Sequence, residues 1–365
     1  MKDFSIIILS YKSVEVIKKN IDSILSQKMP SQNYELILVD DGSRDGTDKV
    51  LQLIASTNNN IRVFALKKRH GNGYCKNLAI KMSEGKILFF LDDHLFLPNK
   101  NSILMMYDAL AKDKSLVGVC GNYISENESD YNLCRDIRRF MIYGKNSQDL
   151  YLNPNKFIPF SIVISAIRKD HLNKSRTFPE EFTPNASEDI CFQINQHKKM
   201  KSFLYLSSVF GYHSHNANFF DAVIKIKREL VGYILILKKF SNDVHFNNWY
   251  LPSFFSFPLL FYFTLTIVFL NKYLWPVLFL TILLEILLLY PIAYYKISLK
   301  VKIKVFTYCL LNEALKLPAV LYIITRHPSC MFSILRQLFF WEIKKIKYIY
   351  ENRFKKPWAY KITSS

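Results

Sequence analysis

Strand and helix patterns alternate along about the first 245 residues of this chain, and this alternation constrains its fold more than any other feature. Short apolar runs predict strands, and apolar residues at helical spacing predict the helices between them. The apolar runs are continuous, which is typical of strands covered on both faces. This order predicts an α/β fold with a mostly parallel, Rossmann-like sheet. The predicted strands are residues 4–9, 34–39, 61–66 and 86–91, and helices are predicted at 14–25, at about 45–55 and in the segment HGNGYCKNLAIKMSEG.

Three polar residues follow the fourth predicted strand, in the sequence FFLDDHLFL at 89–97. Asp92, Asp93 and His94 stand at the carboxyl end of a buried strand, where open α/β sheets bind ligands. Charged side chains are too costly to bury without partners inside such a sheet. The three residues predict a metal site at this edge, with a turn capped by an aspartate as the alternative interpretation.

The second predicted strand ends in DDGSRDGT, residues 40–47. Asp40 and Asp41 are followed by Gly42 and Ser43, which allow a tight turn close to a ligand. The alternative is a structural turn in which Ser43 or Asp45 caps the next helix.

Two further groups of polar residues come later in the chain. Glu188 and Asp189 follow the loop sequence FTPNAS and stand at the predicted start of a helix, where two carboxylates also fit a role as caps favoured by the helix dipole. The sequence YHSH follows a predicted strand at 209–212, and it offers His213, or as second choice His215, as a further metal ligand.

The carboxyl-terminal third predicts a membrane region. Residues 249–270 contain no charged side chain and residues 273–295 contain only Glu285, so each stretch is long enough to cross a bilayer. Four lysines follow between 296 and 304, and positive residues mark the cytoplasmic side. The two spans therefore form a hairpin that leaves the preceding domain in the cytoplasm, at the cell inner membrane.

The segment at 305–325 is apolar but contains three charged or amide side chains. A third span here would place the very basic tail on the outer side, so we favour an interfacial or re-entrant helix. Residues 296–365 hold 14 Lys or Arg and 3 Asp or Glu, within a chain whose net charge is +19. Aromatic residues lie among these lysines, so we interpret the tail from 326 to 365 as a cytoplasmic segment at a lipid surface rather than a nucleic-acid site. The predicted domains are thus 1–245, 246–325 and 326–365.

Five sequence motifs, taken in order, resemble those of family 2 glycosyltransferases with the GT-A fold. The resemblance covers about residues 3–240, and its motifs are SIIILSYK, ELILVDDGSRDGT, HGNGYCKN, ILFFLDDH and NASEDICFQI. It implies a GT-A catalytic domain that uses a nucleotide-sugar donor. The donor-binding positions that it implies are Ser10, Tyr11, Asp40, Asp41, Lys76, Asn77 and Asp93.

Within that list, Asp41 corresponds to the carboxylate that contacts the pyrimidine or ribose. Asp40 is the weaker match to that position. Ser10 and Tyr11 match the positions that line the base. Lys76 and Asn77 stand where the family usually has Arg-Asn, and a lysine meets a phosphate as a point charge without the bidentate geometry of arginine.

The family pattern at the metal site is Asp-x-Asp, whereas this chain has a histidine in place of the second acid. The same Asp-x-His pattern occurs in the related polypeptide N-acetylgalactosaminyltransferases, where the histidine binds manganese. The resemblance therefore implies Asp92, His94 and His213 as metal ligands. It implies Asp93 as a contact either to the ribose of the donor or to one of the metal-binding residues. Mn²⁺ accepts imidazole more readily than Mg²⁺ does, so we expect Mn²⁺ in preference to Mg²⁺.

The pair Glu188-Asp189 matches the family's Glu-Asp, which implies Asp189 as the catalytic base beside Glu188. We expect an inverting transfer of one sugar, with UDP-sugar as the favoured donor, to a membrane-associated acceptor such as a lipid-linked glycan. The alternatives are a polyprenyl-phosphate sugar transferase, a processive polysaccharide synthase, or a membrane-tethered scaffold without catalytic activity. We expect roles in cell-surface polysaccharide or glycoconjugate synthesis and no binding of nucleic acid.

Overall fold

The computed structural model describes residues 2–126, 149–152, 160–172, 177–182, 188–198, 202–214, 235–236 and 239. Apart from Lys239, these residues belong to one compact unit, which comprises Met1–Glu128, Asn146–Ala217 and Val231–Ile236. No helix in these described ranges is long and apolar enough to cross a membrane. The predicted spans, the interfacial helix and the basic tail lie outside the described residues, and the predicted domain boundaries stay predictions.

The described elements follow the predicted order of strands and helices. The strands are β1 Phe4–Ser10, β2 Tyr34–Asp40, β3 Ile61–Ala65, β4 Ile87–Asp92, β5 Leu95–Phe96, β6 Leu116–Ser125, β7 Leu150–Leu152, β8 Ile164–Arg168 and β9 Ser202–His213. The helices are α1 Ile17–Leu25, α2 Thr47–Ser56, α3 Asn72–Met82, α4 Ser102–Lys112 and α5 Glu188–Lys198. Two short 3-10 helices span Lys169–His171 and Glu180–Phe182.

One sheet connects all the described strands, in the order β3-β2-β1-β4-β8-β6-β9-β5, with β7 paired to β9. Strands β1 to β4 are parallel, as predicted. The expectation of a mostly parallel sheet fails beyond them, because β8 lies antiparallel between β4 and β6, and β5 and β7 pair antiparallel with β9. The alternation of strand and helix signals does not determine the direction in which the later strands pair, and the sheet is mixed.

The core lies between this sheet and the helices that cover it. In β1 every residue is buried except Leu9, which is half-buried, so the strand is covered on both faces as its continuous apolar run predicted. Helix α1 contributes Ile17, Ile21 and Ile24, which are fully buried at spacings of three and four residues. Burying each such side chain contributes about 1.5–3 kcal/mol to stability.

The registers of the strands bring their polar carboxyl ends to one edge of the sheet. Ser10 of β1 is paired with Asp40 of β2, and the preceding residue of β1 is paired with Asp92 of β4. Strand β9 runs parallel to β6 and ends at His213, opposite Leu95 of β5. The polar residues that end four separate strands therefore share one edge, which we call the carboxyl edge.

Candidate functional site

Asp92, Asp93 and His94 form a compact group of potential metal ligands at the carboxyl edge. One ligand atom from each residue lies within 4.8 Å of the others. The backbone N–H of His94 donates to Oδ1 of Asp92 at 3.0 Å, so the turn after β4 folds back on its first residue. Two carboxylates and one imidazole form a donor set that suits Mn²⁺ or another transition ion better than Mg²⁺.

Asp93 fixes the imidazole of His94. Nδ1 of His94 lies 2.6 Å from Oδ1 of Asp93, a hydrogen-bond distance. With the proton on Nδ1, the lone pair of the ring is on Nε2, which is the arrangement that orients many metal-binding histidines. The other carboxylate oxygen of Asp93 accepts the backbone N–H of Tyr11 at 3.3 Å. Asp93 therefore connects the turn after β4 to the loop after β1.

The end of β9 brings His213 to the same group. Its Nε2 lies 3.2 Å from Oδ1 of Asp92, and its ring stacks on that of His94 with centroids 5.9 Å apart and planes 16° apart. Tyr123 of β6 also packs against the His213 ring, at a centroid distance of 5.1 Å. The two histidines and the carboxylate of Asp92 thus face one another across a short gap, although their role as metal ligands stays a prediction.

The charges in this group perturb one another strongly. Burial alone would raise the pKa of Asp92, but the facing imidazoles of His213 and His94 hold it well below its usual value. Burial raises the pKa of Asp93 and outweighs the hydrogen bond from His94. Although burial opposes its charge, the two carboxylates raise the pKa of His94 to about 10. A cation that binds here therefore replaces a proton, as metal sites in proteins commonly require.

The two aspartates after β2 have different environments. Asp41 is buried and accepts the backbone N–H groups of His70 and Gly71, at 2.6 and 2.8 Å, immediately before α3. Both of its oxygens are thus used to hold the start of that helix. Asp40 accepts the N–H of Ser43 through Oδ2, whereas its buried Oδ1 has no hydrogen-bond partner among the described residues. Burial raises the pKa of Asp40.

The sequence reasoning ranked Asp41 above Asp40 as the donor contact. That ranking stays a prediction, and of the two aspartates it is Asp40 that has an oxygen without a hydrogen-bond partner among the described residues. The turn between the strand and Ser43 does take the tight form that we expected. Gly42 has a φ of +71°, and a Cβ there would lie 2.5 Å from the backbone carbon of Lys68.

Ser10 is the last residue of β1, Tyr11 begins the loop after it, and the following residue, Lys12, has a φ of 56°. Ser10 is buried, and its hydroxyl donates to the carbonyl of Val39 on β2. The guanidinium of Arg69 lies 4.1 Å from the centroid of the Tyr11 ring. The sequence reasoning did not select Arg69, which approaches Tyr11 from the loop before α3. The basic run KKRH before the glycine-rich segment is the signal that could have indicated it.

Lys76 and Asn77 of α3 contact other protein groups in this structure. Nζ of Lys76 lies 2.6 Å from Oε1 of Glu188, and both side chains are buried. The amide nitrogen of Asn77 donates to the carbonyl of Phe178 and to Oε1 of Glu180, and its oxygen accepts the N–H of Phe178. Asn77 therefore fastens residues 178–180 to α3, and Lys76 connects α3 to the start of α5.

Asp189 lies in the first turn of α5, which begins one residue earlier, as predicted. Burial raises the pKa of its carboxyl group to about 6, and the neighbouring charge of Glu188 adds to this effect, while Lys76 opposes it. A carboxylate with a pKa near neutrality suits a general base better than an ordinary exposed aspartate.

The predicted site residues fall into two connected groups. The first contains the metal-ligand group and, through Asp93 and the backbone of Tyr11, the loop after β1. In the second, Asp41 holds the start of α3, and Lys76 of α3 is paired with Glu188 beside Asp189. The first group lies at the carboxyl edge, and the second starts there, because α3 begins beside the end of β2 and carries Lys76, which contacts Glu188.

Comparison with known proteins agrees with this architecture. Residues 5–174 match the family described as Glycosyl transferase family 2. The poly(ribitol-phosphate) beta-N-acetylglucosaminyltransferase TarP of Staphylococcus aureus is 34% identical over 131 residues, which cover 36% of this chain and 35% of that protein. The glycosyltransferase AglE of Haloferax volcanii is 34% identical over 88 residues, covering 24% of this chain and 29% of that protein. The chain thus spans about a third of the length of these curated relatives.

A solved structure of the mannosyltransferase PcManGT from Pyrobaculum calidifontis, in complex with GDP-Man and Mn²⁺, superposes with a TM-score of 0.50 at 15% identity. The likeness covers 94% of this chain and 87% of that one, and it shows a shared fold. Residues 5–174 are therefore the part of the chain that is similar to family 2 glycosyltransferases.

Proposed function

We propose that this chain is an inverting glycosyltransferase that moves one sugar from a nucleotide-sugar donor to a membrane-associated acceptor, such as a lipid-linked glycan. The observation that carries the proposal is that one domain holds a group of metal ligands at the carboxyl edge and, in Asp189, a carboxyl group whose pKa is raised to about 6. A cation held by the first would offset the charge of a departing diphosphate, and the second can take a proton from an acceptor hydroxyl.

Asp92, His94 and His213 would hold the metal ion, which we propose to be Mn²⁺ with Mg²⁺ as the alternative. The fit rests on the ligand atoms of the turn within 4.8 Å of one another and on His213 Nε2 at 3.2 Å from Asp92. Asp93 would orient His94 through the 2.6 Å hydrogen bond to Nδ1. When bound, the cation offsets the negative charge that develops on the leaving diphosphate.

The nucleotide would lie over the loops that follow β1 and β2. Tyr11 and Arg69 form a stacked pair there, and the unpartnered oxygen of Asp40 offers an acceptor for a donor group of the base or ribose. Aromatic and guanidinium planes both stack on nucleobases. UDP-sugar is the proposed donor class, and GDP- and dTDP-sugars enter the test as competitors.

In the proposed reaction Asp189 accepts the proton of the acceptor hydroxyl. At the same time the hydroxyl oxygen of the acceptor forms a bond to the anomeric carbon of the donor sugar. The bond between that carbon and the diphosphate oxygen breaks, and the electron pair leaves with the nucleotide. Attack from the face opposite the leaving group inverts the anomeric configuration. Glu188, the second proposed catalytic residue, would act beside the base while paired with Lys76, whose Nζ lies 2.6 Å from its Oε1.

A macromolecular acceptor is supported by the relative TarP, which is named a poly(ribitol-phosphate) beta-N-acetylglucosaminyltransferase. The apolar stretches at 249–270 and 273–295 support a location at the cell inner membrane, as a multi-pass protein with the catalytic domain on the cytoplasmic side. A lipid-linked acceptor would reach the carboxyl edge from that membrane.

The test is donor turnover by the purified chain in the presence of Mn²⁺, measured as release of nucleoside diphosphate. Asp189→Asn should lower turnover by about 10²–10⁴-fold, the usual contribution of a general base. Asp170→Asn is a matched control, because Asp170 is an exposed aspartate on a 3-10 helix of the same unit. Turnover that survives Asp189→Asn would contradict the assignment of the base, and absence of turnover with every nucleotide sugar would contradict the function.

A further inference from the structure

Helix α1 presents a line of buried polar side chains to the strand segment that carries the metal-ligand group. Asn20, Ser23 and Gln27 lie at spacings of three and four residues, so they share one side of the helix and its carboxyl-terminal extension. Their exposed fractions are only 3%, 5% and 5%. We call these three residues the polar stripe.

Each residue of the polar stripe contacts backbone groups between residues 92 and 97. The amide nitrogen of Asn20 donates to the carbonyl of Asp92 at 2.9 Å and also to the carbonyl of Leu95. Ser23 Oγ accepts the N–H of Leu97 at 3.4 Å, and Gln27 donates to the carbonyl of the same residue at 3.4 Å. The shortest contacts of the stripe are therefore those of Asn20.

The two carbonyls that Asn20 holds flank the turn that contains Asp93 and His94. One amide group thus fixes both ends of a four-residue segment whose side chains are the proposed metal ligands and their supporting carboxylate. The segment is also held from the other side, because Asp92 N–H donates to Val163 and His94 accepts the N–H of Ser214. On the side of α1, the amide of Asn20 holds this segment.

Asparagine is a costly choice for packing at this position. The neighbouring buried positions of α1 are Ile17, Ile21 and Ile24, and asparagine has a lower helix propensity than an aliphatic residue such as leucine. Oδ1 of Asn20 is buried with no hydrogen-bond partner among the described residues, which adds a desolvation cost. An apolar residue would avoid both costs, so the donor group of Asn20 is the feature that accounts for its presence.

We propose that Asn20 is a positioning residue that fixes the 92–95 turn in the shape in which Asp92 and His94 converge on one cation. This inference rests on the metal site of the proposed function. It adds a residue on a different element, remote in sequence from every predicted ligand, that acts through backbone carbonyls and does not touch the metal.

The test measures Mn²⁺ affinity directly, by the loss of the free-ion electron paramagnetic resonance signal on titration of the 365-residue chain. Asn20→Leu replaces the amide by an apolar group of similar size and removes both donations. We expect it to weaken Mn²⁺ binding by about 10- to 100-fold, the range found when groups that orient metal ligands are removed. Asn20→Ser keeps one shorter donor and should fall between Asn20→Leu and the unmodified chain.

Gln27→Leu is the matched control, because it also replaces a buried amide of the polar stripe, and that amide donates to the carbonyls of Ser23 and of Leu97, which lie outside the ligand turn. It should leave Mn²⁺ affinity within about twofold of the unmodified chain. Thermal unfolding without metal identifies the variants that are folded, and if Asn20→Leu is not folded, Asn20→Ser takes its place in the comparison.

Equal Mn²⁺ affinity of the folded Asn20 variant and the unmodified chain would overturn the positioning role alone. Equal weakening by Gln27→Leu would also overturn it, because the effect would then belong to α1 packing in general. If the unmodified chain itself binds no Mn²⁺, the metal site of the proposed function fails, and the role of Asn20 fails with it.

Discussion

Nζ of Lys76 lies 2.6 Å from Oε1 of Glu188, and the two side chains form a buried ion pair between α3 and the first turn of α5. This pair stands directly beside Asp189, the proposed base. It joins α3 to the helical turn that carries the proposed base. The energetics of the pair therefore affect both the stability of the domain and the ionisation of Asp189.

Removing one partner of this pair should destabilise the domain strongly. Lys76→Met leaves Glu188 buried without a counter-charge, which typically costs about 3–5 kcal/mol. The double variant Lys76→Met/Glu188→Gln should recover most of that loss, since no buried charge then lacks a partner. Chemical denaturation of the single and double variants measures both effects. A double variant as unstable as Lys76→Met would show that the ion pair is not the cause.

The pH dependence of turnover should follow the ionisation of Asp189. The base must be deprotonated to act, and its pKa is raised to about 6, so turnover should fall as the pH drops below about 6. Glu188→Gln removes a negative charge that raises this pKa, so the acidic limb should move to lower pH. The profile of turnover against pH for both proteins is the measurement. If the acidic limb of the profile lies at the same pH in Glu188→Gln as in the unmodified chain, Glu188 does not raise the pKa of Asp189.

Metal affinity should depend on the histidine at the end of β9. His213 Nε2 lies 3.2 Å from Asp92, so His213→Ala removes a proposed ligand and should weaken Mn²⁺ binding by at least about tenfold. His171→Ala, on a 3-10 helix away from the carboxyl edge, is the control and should bind Mn²⁺ normally. Calorimetric titration with Mn²⁺ distinguishes them, and equal affinities would remove His213 from the ligand set.

The two aspartates after β2 should respond differently to substitution. Asp41→Asn loses a carboxylate that accepts two backbone N–H groups, so we expect it to reduce stability by about 1–2 kcal/mol, as loss of a cap does. Asp40→Asn should change stability less and weaken nucleotide binding more, because Asp40 holds the unpartnered oxygen. Chemical denaturation and nucleotide titration of both variants test this. A larger loss of nucleotide affinity in Asp41→Asn than in Asp40→Asn would favour Asp41 as the nucleotide contact.

The sequence predicted the parts of this fold that depend on local patterns. Continuous apolar runs located β1 to β4, and polar residues at their ends located Asp40 and Asp92, because a parallel sheet gathers strand ends at one edge. The antiparallel insertion of β8 was not predicted, since strand order depends on pairings between distant segments. No local pattern in β8 distinguishes the two orientations.

The contacts of individual site residues were harder to predict for the same reason. The partner of Lys76 is 112 positions away in the chain, and Asn20 is separated by 72 positions from the carbonyl of Asp92. A lysine at this position equally fits a phosphate contact or an ion pair, and only the fold brings Glu188 beside it. Asn20 carries no motif, so its polar character on an isoleucine-rich helix was the sole available signal.

The central claim is that a cation held at the carboxyl edge binds a nucleotide-sugar donor beside Asp189. Its most direct test is calorimetric titration of the Asp189→Asn variant, in which the donor is not consumed, with UDP-, GDP- and dTDP-sugars, each with and without Mn²⁺. The account predicts that at least one nucleotide sugar binds when Mn²⁺ is present and that this binding is lost when Mn²⁺ is withheld. Absence of binding to all three donors with Mn²⁺, or binding that is unchanged without it, would contradict the claim.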